Sequence, residues 1–110
     1  MKYSIDTAAE ELMLEPAEVK EILAIFFEDA PEIFMQGQAA LAEQNFYKLA
    51  RCMHSLKGAA FNMRMNSLGE LADQAERCEN LPIEKLQLIM NAIDTELREV
   101  KTVFEKYCSN

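Results

Sequence analysis

The stretch Asn45-Phe46-Tyr47-Lys48-Leu49-Ala50-Arg51-Cys52-Met53-His54-Ser55-Leu56-Lys57-Gly58-Ala59-Ala60-Phe61-Asn62-Met63 decides the fold. Phe46, Leu49, Met53, Leu56, Ala60 and Met63 recur in alternating steps of three and four, the period of one face of an α-helix. Asn45 stands where an N-cap belongs, because its side chain can accept a hydrogen bond from a free backbone N–H of the first turn. A helix from Phe46 to about Met63 with one buried face is therefore predicted.

The same grammar extends in both directions. Upstream, Thr7 with Glu10 reads as a capping box for a short helix reaching about Leu14. Pro16 suits the first turn of a second helix with the apolar stripe Val19, Ile22, Leu23, Phe26 and Phe27. Pro31 predicts a kink or a break in it, after which Ile33, Phe34, Gly37, Ala40 and Leu41 resume the pattern to about Gln44. Downstream, Ser67 with Glu70 reads as another capping box, opening a helix that buries Leu68, Leu71, Ala72 and Ala75. Asn80-Leu81-Pro82 ends it, and a last long helix carries Leu86, Ile89, Ile93, Leu97, Val100, Phe104 and Tyr107 at seam spacing.

Composition agrees with an all-α chain. Ala, Leu, Glu, Lys, Met, Gln and Arg make up 64 of the 110 residues and Val, Ile and Thr only 13, so helix formers dominate and a sheet is excluded. Four longer helices with short links predict an antiparallel four-helix bundle, with the first helix as an additional short N-terminal one. No internal repeat or linker interrupts the sequence, and residues 1–110 read as a single domain.

The formal charge of −8 and pI near 4.6 argue against nucleic acid, whose phosphates need a cationic face. They argue equally against an anionic membrane surface. The longest apolar run, Ile22–Phe27, is far short of the roughly 20 residues of a membrane span. The amino-terminal residues lack an apolar signal core, and Cys52, Cys78 and Cys108 are odd in number and lack metal-ligand spacing, so a cytoplasmic protein with reduced thiols is expected. Gly37, Gly58 and Gly69 are too scattered to cradle a phosphate, and one histidine cannot build a haem or metal site, so no cofactor is expected.

That one histidine, His54, follows core residue Met53 and so lies ~100° from it around the helix axis, on the flank or outside of the bundle. Its neighbours three and four positions away are Ala50, Arg51, Lys57 and Gly58. Small residues one turn above and below leave the imidazole open to a macromolecular partner. Two cations beside it would stabilise added negative charge and would also favour an acidic partner surface. An exposed imidazole can act as a nucleophile and carry a covalent group. Spacing alone also admits an ordinary surface histidine, solvated charges at Arg51 and Lys57, and a Gly58 that permits close helix packing.

The run Ala50–Ala60 resembles the HxLKGxx signature of histidine-containing phosphotransfer (HPt) domains, through His54, Leu56, Lys57 and Gly58. The likeness continues through Asn62, Leu68, Leu71, Ala72 and Glu76, and upstream through Phe27–Glu32 and Asn45–Ala50, so it covers nearly the whole chain. The resemblance implies a phosphorelay intermediate rather than an enzyme with its own ATP site. His54 would accept a phosphoryl group on Nε2 from a receiver-domain aspartate, Lys57 would be the cation beside that group, and Gly58 would keep the approach clear. The implied partners are the receiver domains of a hybrid histidine kinase and of a response regulator, met by a monomer through the His54 face and apolar residues of the first two helices, with Met13 a candidate for that surface and equally for the core. The rival expectation is a helical adaptor that binds receivers or other signalling proteins without carrying phosphate.

Arg64 stands where the family commonly ends its histidine-bearing helix with glycine, so Asn62 or Asn66 is expected to take the left-handed position. Arg51, Gln74 and Glu76 are read as ordinary surface residues ahead of the alternative, an auxiliary role at the site.

Overall fold

The computed structural model describes residues 3–109. Five α-helices follow one another: α1 (Ile5–Leu12), α2 (Pro16–Ala42), α3 (Phe46–Asn62), α4 (Asn66–Glu76) and α5 (Ile83–Ser109), with a 3-10 turn at Cys78–Asn80 before α5. Short connections make successive long helices antiparallel. α3 packs between α2 and α4, α4 packs on α5, α5 closes back on α2, and α1 lies against α2. The result is an all-α four-helix bundle with an additional short N-terminal helix, measuring 42 × 22 × 20 Å. Its long dimension matches the 27 residues of α2 and of α5, at 1.5 Å per residue about 40 Å.

The core follows the stripe that the period announces, except that Ile22 of the expected α2 stripe is exposed. Leu49, Met53, Leu56 and Ala60 of α3 are fully buried against Val19, Leu23 and Ala40 of α2, Leu68, Ala72 and Ala75 of α4, and Leu86, Met90 and Ile93 of α5. Each large member stabilises the fold by about 1.5–3 kcal/mol relative to exposure. Phe27 adds a clamp, its ring edge-on to Phe26 (centroids 5.0 Å apart) and tilted against Phe104 of α5 (5.4 Å).

Asn45 caps α3, its Oδ1 accepting from the Lys48 N–H at 3.1 Å, and Pro16 opens α2, as the sequence predicts. Four expectations are corrected. α2 runs unbroken through Pro31 and stops at Ala42: the missing proline N–H removes one hydrogen bond, which packing against both α3 and α5 outweighs. α1 starts at Ile5, because Ser4 rather than Thr7 is the cap, its Oγ accepting from the Thr7 N–H at 3.2 Å, and the helix ends at Leu12. α4 has no side-chain cap at Ser67, since its N-cap is Met65. Lastly, Arg64 itself takes the left-handed position, at φ 62°, which neither Asn62 nor Asn66 adopts.

The C-terminal ends of α1, α2 and α3 share one cause. Just past the ends of α1, α2 and α3 a backbone N–H reaches back five residues: Leu14 to the Ala9 carbonyl, Asn45 to Ala40, Met65 to Ala60, at 2.9, 2.8 and 2.9 Å. Each closure puts the preceding residue, Met13, Gln44 or Arg64, at positive φ. Arg64 Nε also lies 3.6 Å from Glu11 of α1. Tyr3 fastens the same corner, its hydroxyl donating to the Met63 carbonyl at 2.9 Å, and burial pushes its pKa up to about 12.

Charge is divided unevenly over this frame. Residues 1–44 hold ten acids and two bases, the whole formal charge of −8, whereas residues 45–110 hold nine of each. α1 and α2 are thus the acidic side of the bundle.

Candidate functional site

Helix α3 buries Leu49, Cys52, Met53, Leu56 and Ala60, and that choice of face turns His54 outward. Its side chain is 70% exposed, yet it is not free to rotate: Nδ1 lies 3.1 Å from Oε2 of Glu76 on α4. Lys57, one turn along α3, places Nζ 2.7 Å from the other oxygen, Oε1, of the same carboxylate, and 3.3 Å from Oδ1 of Asp73. Arg77 Nη2 in turn holds Asp73 Oδ2 at 3.1 Å. One glutamate thereby bridges the histidine and its neighbouring cation, in a network of two carboxylates, two cations and an imidazole.

The electrostatics follow from these distances. The Lys57 ammonium, and then the His54 bond, hold the Glu76 carboxyl below the usual glutamate value, outweighing the opposing effect of partial burial. Glu76 and then Asp73 push the Lys57 ammonium up. Glu76 is therefore an ionised, acceptor-only group at neutral pH. Its hydrogen bond to His54 requires the proton to sit on Nδ1, which leaves the lone pair on Nε2 as the reactive position of the neutral ring. The site can present a fixed, exposed nitrogen nucleophile with a compensating carboxylate behind it.

Gly58, one turn below His54 on the outer strip of α3, has open space beside it: a Cβ built there would meet nothing within 4 Å. The close-packing alternative for this glycine has no contact to support it. Arg51 is not brought to the site. Its guanidinium lies 3.4 Å from the Tyr47 hydroxyl and 5.9 Å from that ring's centroid, in a groove between α2 and α3 lined also by Ile33, Gln36, Lys48, Cys52 and Ser55. Of the two cations expected beside the ring, Lys57 is there and Arg51 turns away.

Glu76 is a correction. Expected at the ordinary surface, it is instead the hydrogen-bond partner of His54, and Asp73, to which the sequence assigns no role, completes the lysine's cage. A signal for both existed. Asp73 and Glu76 each follow a core alanine, Ala72 and Ala75, as His54 and Lys57 each follow or flank the core residues Met53 and Leu56. Two helices with the same offset from their core stripes, packed antiparallel, bring those flanks together.

Among the described residues no helix is long and apolar enough to cross a membrane, and no group of three or more His, Cys, Asp or Glu side chains could hold a metal ion. Cys52 and Cys78 are buried thiols and Cys108 is exposed.

The family model of the Hpt domain matches residues 21–103, and the chain belongs to that family. Hpt domains are phosphocarrier modules that exchange a phosphoryl group between a histidine and receiver domains in phosphorelays, so histidine phosphotransfer is the class of activity of this chain. Comparison with curated proteins and with solved structures returned no match.

Proposed function

We propose that the protein is a monomeric, cytoplasmic phosphorelay intermediate, a single domain over residues 1–110, whose acceptor is Nε2 of His54. It takes a phosphoryl group from the receiver aspartate of a hybrid histidine kinase and passes it to the receiver of a response regulator. The observation that carries this reading is the bond from the chain's one histidine to Glu76, which leaves an exposed Nε2 lone pair facing any partner that docks.

In the first transfer the Nε2 lone pair attacks phosphorus, the N–P bond forms, and the P–O bond to the donor aspartate breaks, its electron pair leaving with the carboxylate. Nδ1 keeps its proton throughout. The ring becomes an imidazolium as the new bond forms, and Glu76 lies against that developing positive charge. Lys57, held one turn away, supplies positive charge near the phosphoryl oxygens. The second transfer reverses these events with a new aspartate. Gly58 leaves the partner's loop room to approach.

Docking needs apolar surface beside the nucleophile. Met13, 91% exposed and so no part of the core, and the exposed Ile22 and Ile25 provide it on the α1–α2 hairpin. Ile22, Ile25, Ile33 and Gln36 share one flank of α2 by helical spacing, and the last two border the groove beside α3.

The test is transfer from a phosphorylated receiver. Wild type is expected to take up acid-labile label, His54→Gln to take up none while remaining folded, and wild type given ATP alone to stay unlabelled. Label on the glutamine variant would overturn the assignment of His54. Receiver binding without any transfer to wild type would turn the reading to a phosphate-free adaptor.

A further inference from the structure

The contact between α3 and α4 is a ladder in antiparallel register. Phe61 faces Gly69, Lys57 reaches Asp73, and His54 reaches Glu76, with steps of four and then three on both helices. Residues so spaced lie along one line of a helix. Two rungs are the polar contacts of the site. The third is apolar, and it is unusually close: a Cβ built on Gly69 would stand 2.6, 2.7 and 2.8 Å from Cε1, Cδ1 and Cζ of Phe61. The ring fills the volume that any other amino acid would need for its first side-chain carbon. Gly69 is not at positive φ, so its backbone conformation does not ask for glycine; the approach of the ring does.

We propose that the Phe61–Gly69 contact is the spacer that fixes the separation and register of α3 and α4 at the site, which makes both of them positioning residues for phosphotransfer; this rests on the reading of His54 as the acceptor. Ordinary contact lies at 3.4–4 Å, so a methyl at position 69 requires a displacement of about 1 Å between the helices unless the Phe61 ring, 37% exposed, swings out instead. The His54–Glu76 and Lys57–Asp73 contacts, at 3.1 and 3.3 Å, have no such slack, since a hydrogen bond lengthened by about 1 Å is no longer one. With that bond lost, no other contact among the described residues holds the Nδ1 proton, and the ring samples both tautomers as imidazole does in water.

The experiment reads the tautomer of His54 by 15N NMR, where the single histidine gives a single imidazole, together with phosphoryl uptake from a phosphorylated receiver. Wild type is expected to show the Nδ1–H form. Gly69→Ala is expected to show a mixture of tautomers and uptake slowed by up to about a hundredfold, the scale that a misplacement of 1 Å can reach. Phe61→Ala/Gly69→Ala, in which two methyl groups meet where the ring stood, is expected to restore the Nδ1–H form and most of the rate. Gly69→Ala with the wild-type tautomer would mean that the ring swings into solvent and spaces nothing, and a double variant that fails to recover would also overturn the proposal. Should Gly69→Ala not fold, Phe61→Ala alone removes the spacer from the more exposed side, and an unaltered tautomer there overturns it as well. Tautomers that behave as expected in a protein that takes up no phosphoryl group would keep the spacer and remove the phosphotransfer reading.

Discussion

Gly58 and Gly69 stand on the two sides of one site and have opposite surroundings. A side-chain carbon at Gly58 meets open space, whereas at Gly69 it collides with an aromatic ring. The difference separates two tasks that glycine performs around a reactive residue. On the outer strip of α3, absence of a side chain matters to whatever arrives from outside. In the seam with α4, it matters to what is already inside. The same division runs through the polar residues: Nε2 of His54 faces outward for chemistry, Nδ1, Asp73 and Glu76 are engaged within the seam, and Lys57, held by both carboxylates, stands between the two.

Breaking the seam is expected to have the largest effect. Glu76→Ala removes the bridge between His54 and Lys57 and should slow phosphoryl uptake on the order of a hundredfold, comparable to losing one preorganised partner of a reacting group. Wild-type rates in this variant would reduce the seam to scaffolding. The seam also titrates. The pKa of Glu76 is lowered, so its stabilising contribution is present above the ordinary glutamate value near 4.5 and is lost as pH falls through the lowered one. The pKa of Lys57 is raised, so its contribution is complete below the ordinary value near 10.5 and is lost as pH rises through the raised one. The network therefore holds across the neutral range. The 13C shift of the Glu76 carboxyl should titrate below that of an exposed glutamate, and return to it in Lys57→Ala.

The outer strip should respond differently. Gly58→Gln is expected to melt no lower than wild type but to transfer about tenfold more slowly, because the added side chain stands where a partner docks, and truncated access of this kind acts on positioning. Gly58→Ala is expected to leave transfer near the wild-type rate and to raise stability by up to about 1 kcal/mol through helix propensity. A loss of stability in both variants would show that Gly58 is a packing residue after all and erase the contrast with Gly69. The smallest effect lies at the end of the same helix. Arg64→Gly relieves a left-handed non-glycine residue at φ 62° and gives up the contact with Glu11, for a net gain of about 0.5 kcal/mol. Thermal melts measure it.

The helices were legible in the sequence because burial selects one face, and a face leaves a period. Their ends were legible only where a local rule decides them. Asn45 and Pro16 act within their own first turns, and both stand where the sequence puts them. The capping boxes at Thr7 and Ser67 fail because closure of the preceding turn, or Ser4, fixes the helix start first. Pro31 misleads because its local cost is outweighed by contacts from two other helices. The site divides in the same way. His54, Lys57 and Gly58 lie within five residues on one helix, so their mutual placement follows from the period. Glu76 is 22 residues from His54, and its approach depends on the register between α3 and α4, which no local pattern states.

The uneven division of charge gives the molecule a sense of direction before anything touches it. A cationic surface approaching through salt feels exposed charge over about 8–10 Å, and the charge it feels belongs to α1 and α2, since the rest of the chain is neutral in sum. Met13, Ile22 and Ile25 lie on that same hairpin. In the docking proposed above, a partner with a cationic rim would therefore be drawn first to the acidic, apolar flank and would turn toward α3 as contact closes.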